Sequence, residues 1–161
     1  MTRMTELAAT FPLTADHADA AAALMAHAYT DSRIGATPWS AGSIISSLAS
    51  AHGFGLGINT GGQPDPDAAL AGFLLARQLG SEAELLAIAV NQQERRHGYG
   101  RILLNTMIGR LKQEQTASVF LEVAVENHPA IQFYQIHGFE ISGRRPRYYG
   151  SQDALIMQLS I

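Results

Sequence analysis

The sequence predicts an α+β protein with a central mixed, mostly antiparallel sheet of six to seven strands, flanked by about four helices. Strand-like apolar runs cluster near the beginning and the end of the chain, with helical patterns between them, which is typical of this class. The glycine- and proline-rich stretch at residues 60–67 and the Gly80-Ser81 turn join neighbouring runs and indicate antiparallel pairs. With 161 residues, 47% of them apolar, the chain is expected to form one domain over residues 1–161.

The elements are assigned from apolar periodicity and from residues that begin or end helices. Thr14 and Ser40 are expected to cap the first two helices, and Gly138 suits the exit of the last. The expected strands cover residues 11–13, 54–58, 69–76, 84–90, 118–125, 139–143 and 154–159. The expected helices cover residues 15–29, a segment after Ser40, a segment after Gly100, and residues 129–137.

A basic turn with two glycines, residues 95–101, joins an apolar strand to an amphipathic helix. The N–H groups in the first turn of a helix lack intrahelical partners and carry partial positive charge, so a helix start attracts anions. Gly98 and Gly100 have no Cβ, so a phosphate can approach the backbone closely. The turn lacks the Lys-Ser/Thr pair of a Walker loop and the third glycine of a dinucleotide fingerprint. A phosphate site of another kind and a plain strand-to-helix turn both stay open at this point.

A second group of residues, between positions 121 and 139, helps to choose between these two interpretations of the turn. Together with the turn it reads Arg95-x-x-Gly98-x-Gly100, Leu121-Glu122-Val123, Asn127-x-x-Ala130-Ile131-x-x-Tyr134 and Gly138-Phe139. This pattern resembles the acetyl-CoA core of the GCN5-related N-acetyltransferases (GNAT), and within them the ribosomal-protein-alanine N-acetyltransferases (the RimI type). The resemblance implies a GNAT fold, acetyl-CoA as co-substrate, no metal, and transfer of an acetyl group to an amine.

Two residues are candidates for the chemistry that the resemblance implies. Glu122 is the candidate base, since a carboxylate in an apolar strand loses hydration and then holds a proton more readily. The alternative for Glu122 is a simple ion pair with a nearby arginine. Tyr134 is the candidate acid, because a phenol with an ordinary pKa of about 10 keeps its proton until a thiolate leaves. The alternative for Tyr134 is a core aromatic residue.

The resemblance also implies which residues hold acetyl-CoA. The main chain of one strand would pair with the pantetheine arm, the basic turn would hold the diphosphate, and an asparagine would bind the arm, although it could equally be only a helix cap. The residues are Ile88, Ala89 and Val90 in the strand, Arg95, Arg96, His97, Gly98, Tyr99, Gly100 and Arg101 in the turn, and Asn127.

The acceptor implied by the resemblance is a protein N terminus, that of a small-subunit ribosomal protein beginning with Ala. An α-amine with a pKa of about 8 is roughly 10% neutral at pH 7, whereas a lysine amine is roughly 0.04% neutral, so one carboxylate serves an α-amine more easily. A lysine, polyamine or small-molecule acceptor, and a non-catalytic acetyl-CoA-binding module, are the alternatives. The basic residues 144–147 and the tyrosines that follow are expected to form a solvated loop or a lid over the substrate.

Composition excludes several other classes of protein. The chain has no cysteine, which excludes disulfides, thiolate metal sites and a thiol nucleophile, and its six histidines lack metal-ligand spacing. A net charge of −3 argues against nucleic-acid binding. No apolar run is long enough for a membrane span, and the N terminus lacks an export signal, so we expect a cytoplasmic protein. A monomer or a weak dimer is expected.

Overall fold

A computed structural model describes residues 9–28, 38–65, 67–149 and 152–161. These residues form seven strands and four α-helices, which confirms the predicted α+β class. The strands are β1 (Thr10–Pro12), β2 (Gly53–Asn59), β3 (Leu70–Leu79), β4 (Glu82–Val90), β5 (Ser118–Ala124), β6 (Glu140–Tyr149) and β7 (Gln152–Ser160). The helices are α1 (Ala18–Ala28), α2 (Ala41–Ala49), α3 (Tyr99–Gln113) and α4 (His128–Ile136).

The strands form a single sheet in the order β1-β2-β3-β4-β5-β7-β6. All neighbouring pairs are antiparallel except β4 and β5, which run parallel. The predicted hairpin between β3 and β4 is confirmed, with Leu79 opposite Glu82 and Gly80 in the left-handed region at φ +62°. The parallel pair requires a crossover, which α3 provides.

Helices cover both faces of the sheet and enclose two apolar cores. On one face, α3 contributes Leu103, Leu104 and Met107 to a core that also contains Tyr134 of α4. On the other face, α1 and α2 pack Ala21, Met25 and Ile44 against Phe73, Leu75, Ala87 and Ala89 of β3 and β4. The central strands are buried on both faces, which explains why β3 reads as a continuous apolar run rather than an alternating one.

The glycines of β2 mark places where neighbouring elements come too close for a side chain. A Cβ on Gly57 would lie 2.6 Å from the Phe11 ring, and a Cβ on Gly55 would lie 2.9 Å from the Cβ of Leu13. A Cβ on Gly53 would collide with the Ser47 carbonyl oxygen. These glycines therefore let β1 and α2 pack closely against the sheet.

The N-terminal helix differs in detail from its prediction. Its first turn, Ala15–His17, is a 3₁₀ turn, and the α-helix begins at Ala18. The backbone N–H of Thr14 donates to Nδ1 of His17 at 3.0 Å, which ties the start of this turn together. The expected last residue of this helix, Tyr29, lies outside the described residues.

The prediction for the basic segment after residue 143 was wrong. Residues 144–147 were expected to form a loop, but β6 continues through them to Tyr149. This strand contains Pro146, although proline has no N–H to donate to a ladder. Since β6 lies at the edge of the sheet, a proline is tolerated there.

Candidate active site

The candidate site is a cleft that opens where β4 and β5 part. The two strands pair only over Glu82–Glu84 and Ser118–Phe120. Just beyond that point β4 contains an extra residue, Leu86, because Leu85 lies opposite Ala76 whereas Ala87 lies opposite Leu75. Such a bulge bends a strand and changes the direction of the side chains that follow. The resulting cleft has a volume of about 570 Å³ and reaches from β4 and β5 to α4.

The separation of the strands leaves one edge of β4 without a partner among the described strands. Ile88, Ala89 and Val90 lie opposite Leu74, Phe73 and Gly72 of β3 on their other edge, and all three line the cleft. The pairing of β4 with β5 ends at Glu84. An extended ligand with amide groups can hydrogen-bond to such an edge as an added strand would.

The N terminus of α3 lies beside this edge. Its N-cap, Gly98, has φ +77° and no side chain to satisfy the N–H groups of the first turn, and the first helical hydrogen bond runs from Ile102 N to Gly98 O at 3.0 Å. Arg96 also has a positive φ, of 72°. Gly100, the second residue of the helix, lines the cleft. At Gly100 the main chain of the first helical turn borders the cleft, and no side chain of the N-cap competes for the N–H groups of this turn.

The structure divides the side chains of the basic turn into two groups. Arg95 and Gly100 line the cleft, whereas Arg96, His97, Gly98, Tyr99 and Arg101 do not. His97 instead lies 3.2 Å from the Glu94 carboxylate, and the buried Tyr99 ring packs edge-on against His97. The side chain of Tyr99 therefore belongs to the core, and Arg95 and Gly100 are the residues of the turn that face the cleft.

Glu122 lies on β5, lines the cleft, and is only 15% exposed. Its Oε1 atom lies 3.0 Å from Nε of Arg145 on β6. The hydroxyl of Tyr148, also on β6, donates a second hydrogen bond to the same carboxylate. The ion pair with a nearby arginine, which the sequence left open as the alternative for Glu122, is therefore present in this structure.

Arg145 and Tyr148 were not identified from the sequence as partners of Glu122. They lie three positions apart and would point to opposite faces of a regular strand. The register of β6 shifts between Arg145 and Tyr149, and Arg147 within this shift has φ +54°. The irregularity brings both side chains to one carboxylate.

Asp153 of β7 holds this irregular part of β6 in place. Its Oδ1 accepts from the backbone N–H of Arg147 at 2.9 Å, and its Oδ2 accepts from Nε of Arg144 at 2.6 Å. These two donors, the Arg147 N–H first, hold the pKa of Asp153 below its usual value. In Tyr148 the hydrogen bond to Glu122, followed by burial and the Glu122 charge, raises the pKa of the phenol, so that it remains a donor.

Tyr134 of α4 is the second candidate catalytic residue at the cleft. Its side chain is 8% exposed and lines the cleft, and its ring packs edge-on against Phe133 and Phe139 at centroid distances of 5.4 and 5.7 Å. The residue thus combines a core position with access to the cleft. The sequence left a core role and a functional role as alternatives for Tyr134, and its position is compatible with both.

Asn127 shows a similar combination. Its side chain accepts from the backbone N–H of Ala130 at 3.4 Å, as an N-cap of α4, and it also lines the cleft. Capping uses the side-chain oxygen, so the side-chain NH₂ group of Asn127 remains able to donate a hydrogen bond. An amide-containing ligand lying along β4 would present carbonyl oxygens that can accept it.

A metal site would need several ligating side chains close together. Within the described ranges, no three His, Asp or Glu side chains come together in this way. None of the helices in this part of the chain is both long and apolar enough to cross a membrane.

Known proteins share this architecture. The family model described as the acetyltransferase (GNAT) family matches residues 21–139. The ribosomal protein bS18-alanine N-acetyltransferase of Escherichia coli (strain K12) is 38% identical over 96 residues, which cover 57% of this chain and 65% of that enzyme. The alignment therefore spans slightly less than two thirds of this relative's length.

Solved structures show the same similarity over nearly the whole chain. The crystal structure of the ribosomal-protein-S18-alanine N-acetyltransferase from Escherichia coli has a TM-score of 0.78 and 28% identity, covering 95% of this chain and 93% of that one. Ard1 from Thermoplasma volcanium has a TM-score of 0.81, with 95% and 97% coverage, and at 22% identity it supports the fold alone. The chain belongs to the acetyltransferase (GNAT) family.

Proposed function

We propose that this protein transfers the acetyl group of acetyl-CoA to the α-amine of protein N termini, with a ribosomal protein beginning with Ala as the favoured acceptor. The observation that carries the proposal is the cleft itself, in which a strand edge that no described strand covers and a helix N terminus lie beside Glu122 and Tyr134. The similarity to the bS18-alanine enzyme of Escherichia coli supports the class of acceptor. A ribosomal acceptor would place the activity in the cytoplasm.

Acetyl-CoA fits the cleft on chemical grounds. The main chain of Ile88, Ala89 and Val90 would pair with the pantetheine amides, and the first turn of α3 would bind the diphosphate. Arg95, which lines the cleft, would add a positive charge near the diphosphate, and Asn127 would donate to the arm. Arg96 and Arg101, whose side chains do not line the cleft, would contribute through longer-range charge.

Glu122 and Tyr134 would then move protons on either side of the thioester. The amine nitrogen forms a bond to the thioester carbonyl carbon while the carbon–sulfur bond breaks. The proton lost by the nitrogen passes to Glu122, and the proton of the Tyr134 phenol passes to the sulfur. Glu122 then releases its proton to solvent, and Tyr134 recovers one from solvent. For Glu122 to act, Arg145 must give up its place on the carboxylate.

A peptide assay tests this function. Peptides beginning with Ala, Ser or Met are compared with a blocked peptide that has one internal lysine, and acetyl incorporation is located by mass spectrometry. We expect acetylation of free N termini, the Ala peptide fastest. Incorporation only into the blocked peptide would assign the enzyme to lysine, and cofactor binding without turnover on any amine would indicate a non-catalytic module.

The role of Glu122 has its own test. Glu122→Gln is expected to lower kcat by about 100-fold, the usual contribution of a general base. Glu140→Gln, a matched change at an exposed position outside the cleft, is expected to leave kcat unchanged. Equal rates for Glu122→Gln and the unaltered enzyme would remove Glu122 from the mechanism.

A further inference from the structure

Two large apolar side chains beside Glu122 pack into neither core. Phe120 precedes Glu122 by two residues on β5, and Ile156 lies directly opposite Glu122 on β7. Leu121 and Val123, the sequence neighbours of Glu122, belong to the core that contains α3, so alternation along the strand places Phe120 and Glu122 on the other face of the sheet. Phe120 and Ile156 are both partly exposed, and neither belongs to the two apolar cores of the described residues or lines the cleft.

The helices on this face of the sheet lie over other strands. Helix α1 packs against β3 and β4, and α2 packs against β2 and β3. Within the described ranges, the core beneath these two helices contains no residue of β5, β6 or β7. The face formed by β5 and β7 is therefore the side of Glu122 on which the described helices leave room for an acceptor.

Gly143 of β6 adds to the room around Ile156. It lies opposite Ile156 in the sheet, and its φ is outside the left-handed region, so its backbone conformation does not require glycine. A Cβ on Gly143 would lie 3.3 Å from Cδ1 of Ile156 and 3.7 Å from its Cβ. A residue with a side chain at this position would crowd Ile156, whereas glycine leaves Ile156 uncovered from the side of β6.

We propose that Phe120 and Ile156 form a binding surface for the third residue of the acceptor, which is expected to be large and apolar or aromatic. This inference rests on the proposed function, which brings the acceptor's amine to Glu122. In an extended chain the first and third residues are about 6–7 Å apart and point to the same side. Phe120 is the same two-residue step away from Glu122 along β5. The third residue therefore reaches this surface when the first lies over Glu122.

Charged side chains of both signs border the apolar surface and the neighbouring cleft. They are Glu84 and its partner Arg77, Glu122 and its partner Arg145, and Glu126 at the cleft. These groups would attract or repel any charged residue of the acceptor. A test of the apolar surface therefore has to exchange neutral side chains alone.

The test uses the full chain, acetyl-CoA and peptides that begin with Ala-Ser and carry Leu or Asn at the third position. Leu and Asn have nearly the same shape and no charge, so the two peptides differ in polarity. We expect the kcat/KM of the Leu peptide to exceed that of the Asn peptide by about tenfold, the low end for an apolar group in a pocket, because this surface is open on one side. The same exchange at the second position, with Ser at the third, is expected to change kcat/KM by about twofold or less, because the second residue of an extended chain points away.

Ile156→Thr and Ile141→Thr form a matched pair of variants. Threonine keeps the β-branched shape that suits a strand and replaces a methyl group with a hydroxyl. Ile141 is 52% exposed on β6 and lies opposite Met157, a residue of the core that contains α3, so it is on the other face of the sheet. We expect Ile156→Thr to reduce the Leu/Asn ratio to about threefold or less, and Ile141→Thr to leave it unchanged. Thermal melting and CoA titration check that both variants fold and bind the cofactor, and the ratio of the unaltered enzyme is a test in its own right.

Four results would overturn the apolar surface. They are equal kcat/KM values for Leu and Asn at the third position, a preference found only at the second position, a ratio that survives Ile156→Thr, and a ratio that Ile141→Thr abolishes to the same extent. Each of these can occur while free N termini are acetylated, so the proposed function would stand. A panel in which no free N terminus is acetylated would instead overturn the proposed function and this inference together.

Discussion

Replacing Gly100 with alanine separates cofactor binding from folding. A Cβ at this position would lie 3.5 and 3.7 Å from two ring atoms of Phe133 and 3.9 Å from Cγ2 of Val90, which are ordinary van der Waals contacts. Gly100 is helical, and alanine favours a helix over glycine by up to about 1 kcal/mol. For a chain of this size such a gain raises Tm by about 2–4 °C. The protein's own fold therefore gives no reason for a glycine here.

The expected effect on the cofactor is the opposite. Gly100 lines the cleft, so an added methyl group would occupy space where the diphosphate is proposed to approach the start of α3. Losing one charge-assisted hydrogen bond to the diphosphate costs about 1.5–3 kcal/mol. At 1.4 kcal/mol for each factor of ten, CoA is expected to bind about 10- to 150-fold more weakly. Isothermal titration calorimetry with CoA measures this change, and thermal melting measures the stability.

Two other glycines provide controls. Gly109 lies in the same helix, and a Cβ added to it would have no atom of another element within 4 Å, so Gly109→Ala should stabilise the protein without changing the Kd for CoA. Gly98 has φ +77°, so Gly98→Ala should lower stability by about 1–2 kcal/mol. The reasoning fails if Gly100→Ala binds CoA as tightly as the unaltered protein, or if Gly109→Ala weakens binding equally.

Three further changes have defined outcomes. Tyr134→Phe removes the phenol from the cleft and should lower kcat by about 100-fold at saturating substrates; an unchanged kcat would exclude the acid role. Arg95→Ala should raise the KM for acetyl-CoA more than Arg96→Ala, because only Arg95 lines the cleft, and equal effects would contradict that geometry. Asp153→Asn should lower Tm at about pH 7, and the difference should shrink as the pH falls toward about 3. The direction of this change follows from the lowered pKa of Asp153. The charged carboxylate stabilises the fold above its ordinary pKa of 3.8, and this stabilisation is lost as the pH falls through the lower pKa of the folded state. A difference in Tm that stays constant with pH would contradict this reasoning.

The sequence was informative wherever structure depends on local pattern. The central strands, the four helices, the Ser40 cap and the left-handed Gly138 at the end of α4 follow from periodicity and from glycine and cap positions. The turn before α3 was found because its glycines and arginines are adjacent in the chain. These features need only the nearest neighbours along the sequence.

The features that could not be predicted from the sequence depend on the pairing register between segments that are distant in the chain. The bulge at Leu86 is defined by how β4 pairs with Leu75 and Ala76 of β3, and no residue type in the sequence predicts it. The pairing of Arg145 and Tyr148 with Glu122 depends on the irregular register of β6 against β7, which Asp153 stabilises. A basic run with a proline reads locally as a loop, and only its place at the sheet edge makes it a strand.

The most direct test of the proposed site is a crystal structure of the protein with acetyl-CoA. We expect the diphosphate oxygens to lie about 3 Å from the backbone nitrogens at the start of α3, as N–H···O hydrogen bonds require. The thioester should lie between Glu122 and the Tyr134 hydroxyl, with the pantetheine arm along β4. A diphosphate bound away from α3, or a Tyr134 hydroxyl directed away from the sulfur, would contradict the site.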